Sequence, residues 1–175
     1  MKKIVSLFLL LLGFSAVNAH AEVPPVPDLA VKAYLLKDFN SGQVLAERNS
    51  VDRVEPASLT KIMTAYLSFK ALKNGQLKLD QVLPISEKAW RVEGSKMFID
   101  TTMTVTVDEL LHGMIIQSGN DASVALAEGI GASEDTFAAM MNKEAIRLGM
   151  KNTHYMNATG LPDPQNYTTS YYLSL

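Results

Sequence analysis

The sequence predicts an α+β domain, in which an antiparallel pair of strands precedes a block of helices. Two apolar segments, Ala30–Lys37 and Gln43–Glu47, flank the turn-forming residues 38–42, a pattern typical of a β-hairpin. From Pro56 onward the apolar residues recur at spacings of three and four, which is typical of helices. This order of elements, without an internal repeat, indicates one domain of mixed class.

The residues before the hairpin predict export. Residues 1–21 combine two lysines with an apolar run, Ile4–Phe14, and end in Ala-His-Ala, which is the layout of a cleaved secretory signal. The run is shorter than the roughly 20 apolar residues of a membrane span. Residues 22–29 are rich in proline and predict an extended linker, so we expect the folded domain to cover residues 30–175. The leader predicts a location in the periplasm or on the outer face of the cytoplasmic membrane.

The composition excludes several classes of protein. Two of the 16 basic residues and none of the 18 acidic ones lie in residues 1–21, so the rest of the chain carries a net charge of −4. This balance argues against a nucleic-acid partner, because phosphate binding usually requires clustered Lys and Arg. The absence of cysteine excludes disulfides, thiolate metal ligands and a cysteine nucleophile. His112 and His154 have no partners at metal-binding spacing, so we predict neither a metal nor a cofactor.

Four helices are predicted from their start and stop signals. Lone hairpins are marginal in water, and only Thr153–Asn157 offers another extended segment, so further strands are expected beyond Leu175. The predicted helices run from Pro56 to Asn74, from a capping box at Thr106–Glu109 to Ser118, from a cap at Asn120 or Asp121 to a stop at Gly129 and Gly131, and from a cap at Ser133 to Gly149.

The stretch EPASLTKIMTAY, residues 55–66, places Ser58 and Lys61 three positions apart at the start of the first predicted helix. Residues at this spacing share a helix face, so the hydroxyl and the amine can act as nucleophile and base. The backbone N–H of Ser58 can then stabilise an oxyanion at the helix N-terminus. Lysine titrates near 10.4 in water, but full burial can lower its pKa by about 3 to 5. The chemistry therefore requires that the rest of the fold covers Lys61.

A second cluster, Ser118-Gly119-Asn120, lies in the bend between the second and third predicted helices. There a hydroxyl and a carboxamide can point into a cleft shared with Ser58. Each motif alone has an ordinary explanation, because Ser-x-x-Lys is expected on the order of once by chance in such a chain and Ser-Gly commonly ends a helix. Their combination favours a catalytic site.

The two clusters correspond to Ser-x-x-Lys and Ser-Asp-Asn, two of the three motifs of penicillin-recognising serine enzymes, with Ser-Gly-Asn here in place of Ser-Asp-Asn. Over most of residues 27–171 the chain resembles the D-alanyl-D-alanine carboxypeptidases, the low-molecular-mass penicillin-binding proteins. The longer matching stretches are EPASLTKIMTAY, GSKMFI at 94–99, LLHGMIIQSGNDASVALAE at 110–128 and NATGLPDPQNYTT at 157–169. The resemblance implies the penicillin-binding protein and serine β-lactamase-like transpeptidase fold, a helical block packed on an antiparallel sheet.

The resemblance also implies roles for individual residues. Ser58 is the acylated nucleophile, Lys61 its general base, and Ser118 a relay of protons toward the leaving amine. Asn120 holds the peptide of the substrate and helps to orient Lys61. In this family the substrate is the D-Ala-D-Ala end of the peptidoglycan pentapeptide, and β-lactams act as covalent inhibitors.

The chain departs from the family pattern near its end. It has no Lys-Thr-Gly, which in the family lies on a later strand and supplies the second oxyanion donor, and it lacks the aspartate usually found near Tyr172. The family's central sheet has five strands, of which two are predicted here. We therefore expect an N-terminal fragment of the catalytic domain, inactive by itself, with Lys61 left hydrated. A membrane attachment is expected only through a region beyond Leu175.

Three alternatives stay open at this point. A D,D-endopeptidase shares all these motifs. Outside the two clusters, Ser95 is a weak candidate for a residue at the rim of the cleft. A class A β-lactamase is less favoured, because it requires an acidic residue that positions the deacylating water and no Glu-x-x-Leu-Asn is present. A non-catalytic fragment is the alternative from another class of protein.

Overall fold

The computed structural model describes residues 25–175, so the secretory signal predicted at 1–21 lies outside the described residues. Residues up to Ala30 form one unit, and those described within it contain neither helix nor strand. The second unit is Val31–Leu175. Within residues 25–175, no helix combines the length and the apolar character needed to cross a bilayer.

The second unit contains four short strands and six helices, and it confirms the predicted α+β class. Strands β1 and β2 pair antiparallel, as do β3 and β4. In chain order the elements are β1 Tyr34–Lys37, β2 Val44–Arg48, a 3-10 turn Ala57–Leu59, α1 Thr60–Lys73, β3 Val82–Leu83, α2 Glu87–Arg91, β4 Val105–Thr106, α3 Val107–Gln117, α4 Asn120–Gly131, α5 Glu134–Arg147 and α6 Ser170–Leu173.

The predicted hairpin is present, with a first strand shorter than expected. The ladder begins with Tyr34 opposite Arg48 and becomes irregular before Lys37. The carboxylate of Asp38 accepts hydrogen bonds from the backbone N–H and the hydroxyl of Ser41, which closes the turn between the strands. The extended segment predicted at 153–157 forms only an isolated bridge, between His154 and Tyr167.

Two of the predicted helix starts are confirmed by their caps. Thr106 and Glu109 form a reciprocal capping box at the start of α3. The hydroxyl of Ser133 accepts the N–H of Thr136 at the start of α5. These caps involve only neighbours in sequence, which is why local patterns predicted them.

The prediction for the start of α4 was wrong, and of the two predicted stops only Gly131 ends the helix. Its N-cap is Gly119, so Asn120 and Asp121 are the first two residues of the helix, and their side chains bind a distant segment. The helix continues through Gly129 to Gly131. A Cβ atom on Gly129 would lie 2.5 Å from a methyl carbon of Leu83, so this glycine permits close packing and does not end the helix.

Helix α4 is the centre of the helical block. Nine of its 12 residues are buried, and it contacts α1, α2, α3, α5 and β3. The fully buried side chains of α4 and its neighbours include Leu110, Val124, Leu126, Phe137 and Met141. Because the core fixes α4 on all sides, the bend at its N-terminus is held in a defined position.

Helix α1 has an unusual division between buried and exposed residues. It buries Met63 and Leu67 together with polar residues, among them Lys61 and Thr64. The hydroxyl of Thr64 donates to the Ala158 carbonyl at 2.7 Å, which compensates for its burial. Four apolar side chains are instead between 40% and 59% exposed: Leu59, Ile62, Tyr66 and Phe69. The predicted helix is therefore confirmed, although part of its apolar surface faces solvent in the described structure.

Glu144 on α5 joins two helices through ion pairs. We expect Glu144→Gln to lower the free energy of unfolding by about 1 to 2 kcal/mol at pH 7. Its carboxylate lies 2.6 Å from Arg147 and 2.9 Å from Lys70 on α1. The hydrogen bond from Arg147 and, to a smaller degree, that from Lys70 lower the pKa of Glu144 from 4.5 to about 2. A lowered pKa stabilises the folded state above about pH 4.5, and this contribution is lost as the pH falls toward 2.

Urea unfolding of wild type and Glu144→Gln at pH 7, 4 and 2.5 measures this contribution. The two proteins should differ most at pH 7 and converge at the lowest pH. Glu87→Gln is the control, because Glu87 forms an exposed pair with Arg91 on a single helix, and it should change stability by less than about 0.5 kcal/mol. A difference for Glu144→Gln that does not change with pH would contradict the assignment.

Candidate active site

Ser58 lies in the 3-10 turn that precedes α1, so the α-helix begins at Thr60, two residues after Ser58, and not at Pro56 as predicted. Its side chain is exposed. The preceding residue, Ala57, has a φ of 46°, a left-handed conformation that is uncommon for a residue with a side chain. Such strain is typical of functional sites, where packing imposes a conformation that the residue alone does not favour.

Lys61 is in hydrogen-bond contact with Ser58. Its Nζ atom lies 3.3 Å from the Ser58 Oγ atom and 2.8 Å from the carbonyl oxygen of Thr159. Lys61 is only 7% exposed, and burial lowers its pKa from the ordinary value of 10.5. The expectation that Lys61 stays hydrated was therefore wrong, because residues 158–160 cover the side that the helix leaves open.

Ser118 comes to the same place from a different helix. It caps the C-terminus of α3 in a left-handed conformation, with a φ of 55°. Its hydroxyl donates a hydrogen bond to Ser58 Oγ at 3.1 Å, across 60 positions of sequence. The structure thus brings three predicted site residues, Ser58, Lys61 and Ser118, into one hydrogen-bonded trio.

Asn120 is buried at the start of α4, next to the trio in sequence, but its hydrogen bonds go elsewhere. Its side-chain amide donates to the Glu93 carbonyl at 2.6 Å, and its backbone N–H donates to the Ser95 carbonyl at 2.7 Å. The Lys61 amine bonds to Ser58 and Thr159. The carbonyl of Thr159 is therefore the group that orients Lys61 in this structure, and the role of Asn120 toward a substrate stays a prediction.

A tight loop at residues 157–161 supports Lys61, and sequence spacing alone did not identify it. The side-chain oxygen of Asn157 accepts the N–H groups of Thr159 and Gly160, and the buried carboxylate of Glu134 accepts that of Ala158 at 2.9 Å. Glu134 is itself paired with Lys88 at 2.8 Å. The stretch NATGL lies within a stretch that matches the family, but its contact with Lys61 spans 98 positions and has no local signal.

The trio opens into a cavity of about 500 Å³. Apart from Ser58, Lys61 and Ser118, the lining is mainly apolar: Ile62, Ala65, Tyr66, Phe69, Met114 and Ile115. An apolar wall lowers the local dielectric and strengthens the hydrogen bonds of the few polar groups. The hydroxyl of Ser95 donates to the Gln117 carbonyl and is not part of this lining.

The remaining candidates lie apart from the trio. His112 contacts the Asp108 carbonyl within its own helix, and His154 contacts the Gln165 carbonyl and stacks on Tyr167. Across residues 25–175, no three His, Cys, Asp or Glu side chains are grouped so that they could hold a metal ion. The described site places a hydroxyl next to a buried amine.

Comparison with known proteins matches this chain to an established family. A protein-family model, peptidase S11, described as D-alanyl-D-alanine carboxypeptidase, matches residues 18–175. The carboxypeptidase DacA of Escherichia coli is 40% identical over 159 residues, which cover 87% of this chain and 40% of DacA. A D-alanyl-D-alanine endopeptidase of Pseudomonas aeruginosa is 34% identical, over 90% of this chain and 51% of its own length.

Solved structures agree with this match. The crystal structure of penicillin-binding protein 5 from Haemophilus influenzae superposes with a TM-score of 0.82 at 40% identity, covering 86% of this chain and 45% of that one. The chain spans about 40% of the length of the DacA relative. The fold follows that of the penicillin-binding proteins, as predicted. The chain therefore belongs to the peptidase S11 family of D-alanyl-D-alanine carboxypeptidases.

Proposed function

We propose that the protein is a serine-type D-Ala-D-Ala carboxypeptidase, which removes the terminal D-alanine from peptidoglycan stem peptides through an acyl-enzyme on Ser58. One observation carries the proposal. Ser58 Oγ lies 3.3 Å from the buried Lys61 amine and 3.1 Å from the Ser118 hydroxyl. Helix spacing accounts for the first contact but not for the second, which only the packing of α3 against α1 provides.

Acylation begins when Ser58 Oγ attacks the carbonyl carbon of the terminal peptide bond and its proton passes to Lys61. The lysine must be neutral, because only the uncharged amine has a lone pair that can accept a proton. Burial supports this by lowering the pKa of Lys61. The Thr159 carbonyl takes one N–H of the amine at 2.8 Å, which leaves the lone pair free to face Ser58.

The next steps release D-alanine and regenerate the hydroxyl. Negative charge develops on the former carbonyl oxygen, where the backbone N–H of Ser58 can stabilise it. Collapse of this intermediate breaks the C–N bond, and the leaving amine takes, through Ser118, the proton that Lys61 received from Ser58, which leaves Lys61 neutral again. Water then hydrolyses the ester, which releases the shortened peptide and restores Ser58. A β-lactam would acylate the same oxygen by opening of its ring.

We place this reaction in the periplasm or on the outer face of the cytoplasmic membrane, in peptidoglycan biosynthesis, cell-wall biogenesis and the maintenance of cell shape. The support is the leader at residues 1–21, with its two lysines, apolar run and small residues before the cleavage position.

A D,D-endopeptidase is the second candidate. The endopeptidase of P. aeruginosa is 34% identical over most of this chain. The two activities use the same trio and differ in whether the bond cleaved is a terminal one or a cross-link between peptides. Substrate preference therefore separates them, and labelling by a penicillin does not.

The proposal can be tested in a grafted enzyme, in which residues 30–175 replace the matched segment of E. coli DacA. We expect fluorescent penicillin to label it on Ser58, and D-alanine to be released from a pentapeptide ending in D-Ala-D-Ala. The acylation rate should rise with pH, with a midpoint below 10.5, because the neutral form of Lys61 is the base. Residues 22–175 alone are expected to release no D-alanine, because the family resemblance assigns the second oxyanion donor to a later strand.

The control for the graft is unmodified DacA measured under the same conditions. Labelling at a residue other than Ser58 would contradict the mechanism. Cleavage of cross-linked peptides without release of terminal D-alanine would favour the endopeptidase.

A further inference from the structure

Asp121 is a fully buried carboxylate that the mechanism does not use. Its Oδ1 atom accepts the N–H of Met97 at 3.0 Å, and its Oδ2 atom accepts the N–H groups of Phe98 at 2.8 Å and Ile99 at 3.2 Å. Within the described residues it forms no ion pair with Lys, Arg or His. Its charge is therefore compensated by backbone dipoles, including the N-terminus of the 12-residue helix α4.

The 97–99 segment is shaped to bind an anion. Phe98 has a φ of 67°, and a left-handed residue between neighbours of ordinary conformation turns successive N–H groups toward one point. The segment belongs to no helix or strand, so these N–H groups are not used in regular structure. Asp121 supplies the anion from within the same chain.

The residues just before the 97–99 segment are attached to Asn120. Asn120 bonds to the carbonyls of Glu93 and Ser95 through its side chain and its backbone, respectively. Gly94, between these two carbonyls, has a φ of 87°, and a Cβ atom there would lie 2.7 Å from the Asn120 amide nitrogen. Residues 93–99 are thus attached to the first two residues of α4, Asn120 and Asp121.

Helix capping does not account for Asp121. The N-cap of α4 is Gly119, and the one local contact of the carboxylate is with the N–H of Ala122 at 2.9 Å. A Cβ atom on Gly119 would lie 3.0 Å from Asp121 Oδ1 and 3.2 Å from the N atom of Met97. This small residue leaves room for the 97–99 segment to reach the carboxylate.

We propose that Asp121 is a positioning residue of the active site, which holds residues 93–99 against α4 and thereby sets the position of Asn120. This inference rests on the proposed function, in which Asn120 binds the peptide of the substrate. Asp121→Asn keeps the shape of the side chain but removes the charge and turns an NH2 group toward backbone donors, so the segment should detach.

Amide hydrogen exchange in residues 22–175, followed by NMR, tests the attachment without a substrate. In the wild type, the N–H groups of residues 97–99 should exchange at least about 100-fold more slowly than those of an unstructured chain. In Asp121→Asn they, and the N–H of Asn120, should exchange at least about 10-fold faster, while those of Phe137 and Met141 keep their rates.

Asp135→Asn is the matched control, because Asp135 occupies the second position of α5, as Asp121 does in α4, but is exposed. It should leave exchange at residues 97–99 unchanged. Rapid exchange of these amides in the wild type would overturn the proposal even if Asp121→Asn does not fold. Unchanged rates in a folded Asp121→Asn would also overturn it.

The grafted enzyme tests the effect on the reaction. Asp121→Asn should weaken the binding of fluorescent penicillin before acylation by about 10- to 100-fold. The maximal acylation rate and its pH midpoint should stay unchanged, because Thr159, outside the 93–99 segment, orients Lys61. A general loss of structure in Asp121→Asn would instead lower the fraction of enzyme that can be acylated, and that result contradicts the positioning role. Unaltered binding of fluorescent penicillin also contradicts it. If the wild-type graft is not acylated, the proposed function fails, and exchange at Asn120 still decides whether Asp121 holds the segment.

Discussion

Ser58→Ala in the grafted enzyme is expected to lower D-alanine release by at least about 10⁴-fold and to abolish covalent labelling by penicillin. In the proposed mechanism the Ser58 oxygen forms the ester, and it lies 3.3 Å from the Lys61 amine and 3.1 Å from the Ser118 hydroxyl. Because the Ser58 side chain is exposed, its removal should not disturb the packing of α1. The loss can be measured as D-alanine released per minute and as the mass added to the peptide that contains residue 58.

Ser95→Ala provides the comparison, because the Ser95 hydroxyl is also exposed but donates to the Gln117 carbonyl, outside the trio. This variant should remain labelled by penicillin. Labelling of Ser58→Ala by penicillin at the wild-type rate would show that another side chain is the nucleophile.

Gly160→Ala should lower the free energy of unfolding by at least about 3 kcal/mol. Gly160 has a φ of 83°, and a Cβ atom there would lie 1.7 Å from the carbonyl oxygen of Ala57. The Ala57 carbonyl is part of the backbone of the turn that carries Ser58. The overlap can therefore be relieved only if this turn moves, or if the Thr159 carbonyl that binds Lys61 moves. Urea unfolding of residues 22–175 at pH 7 measures the change, and the graft should lose acylation as well.

Gly149→Ala separates the cost of a left-handed backbone conformation from the cost of the overlap with Ala57. Gly149 has a φ of 79°, almost the same as Gly160, but no neighbouring atom would lie within 4 Å of a Cβ atom added there. It should cost only the roughly 1 to 2 kcal/mol of a left-handed alanine. Equal losses in the two variants would mean that backbone conformation, and not the overlap with Ala57, sets the cost.

Local chemistry predicted much of the fold. The hairpin followed from two apolar segments around a turn that Asp38 and Ser41 close by themselves. The starts of α3 and α5 followed from Thr106 and Ser133, whose bonds reach only three residues along the chain. Where a residue's partners are its neighbours, its conformation can be read from the sequence.

Local patterns gave wrong predictions where side chains have distant partners. Asn120 and Asp121 are good capping residues by type, but in the structure their polar atoms bind residues 93 and 97–99. Gly129 looks like a helix stop, but the position of Leu83 decides its role. Local propensity sets a preference of about 1 kcal/mol, and contacts across the core outweigh it.

The active site divides in the same way. Helical spacing alone predicts that Ser58 and Lys61 share one side of a helical turn, because residues three apart in a helix do so. The contact of Ser118 with Ser58 and the hydrogen bond from Lys61 to the Thr159 carbonyl depend on packing, since they join residues 60 and 98 positions apart. The position of the hydroxyl beside the amine is a property of the helix, whereas the lowered pKa of that amine depends on burial, which distant parts of the chain must provide.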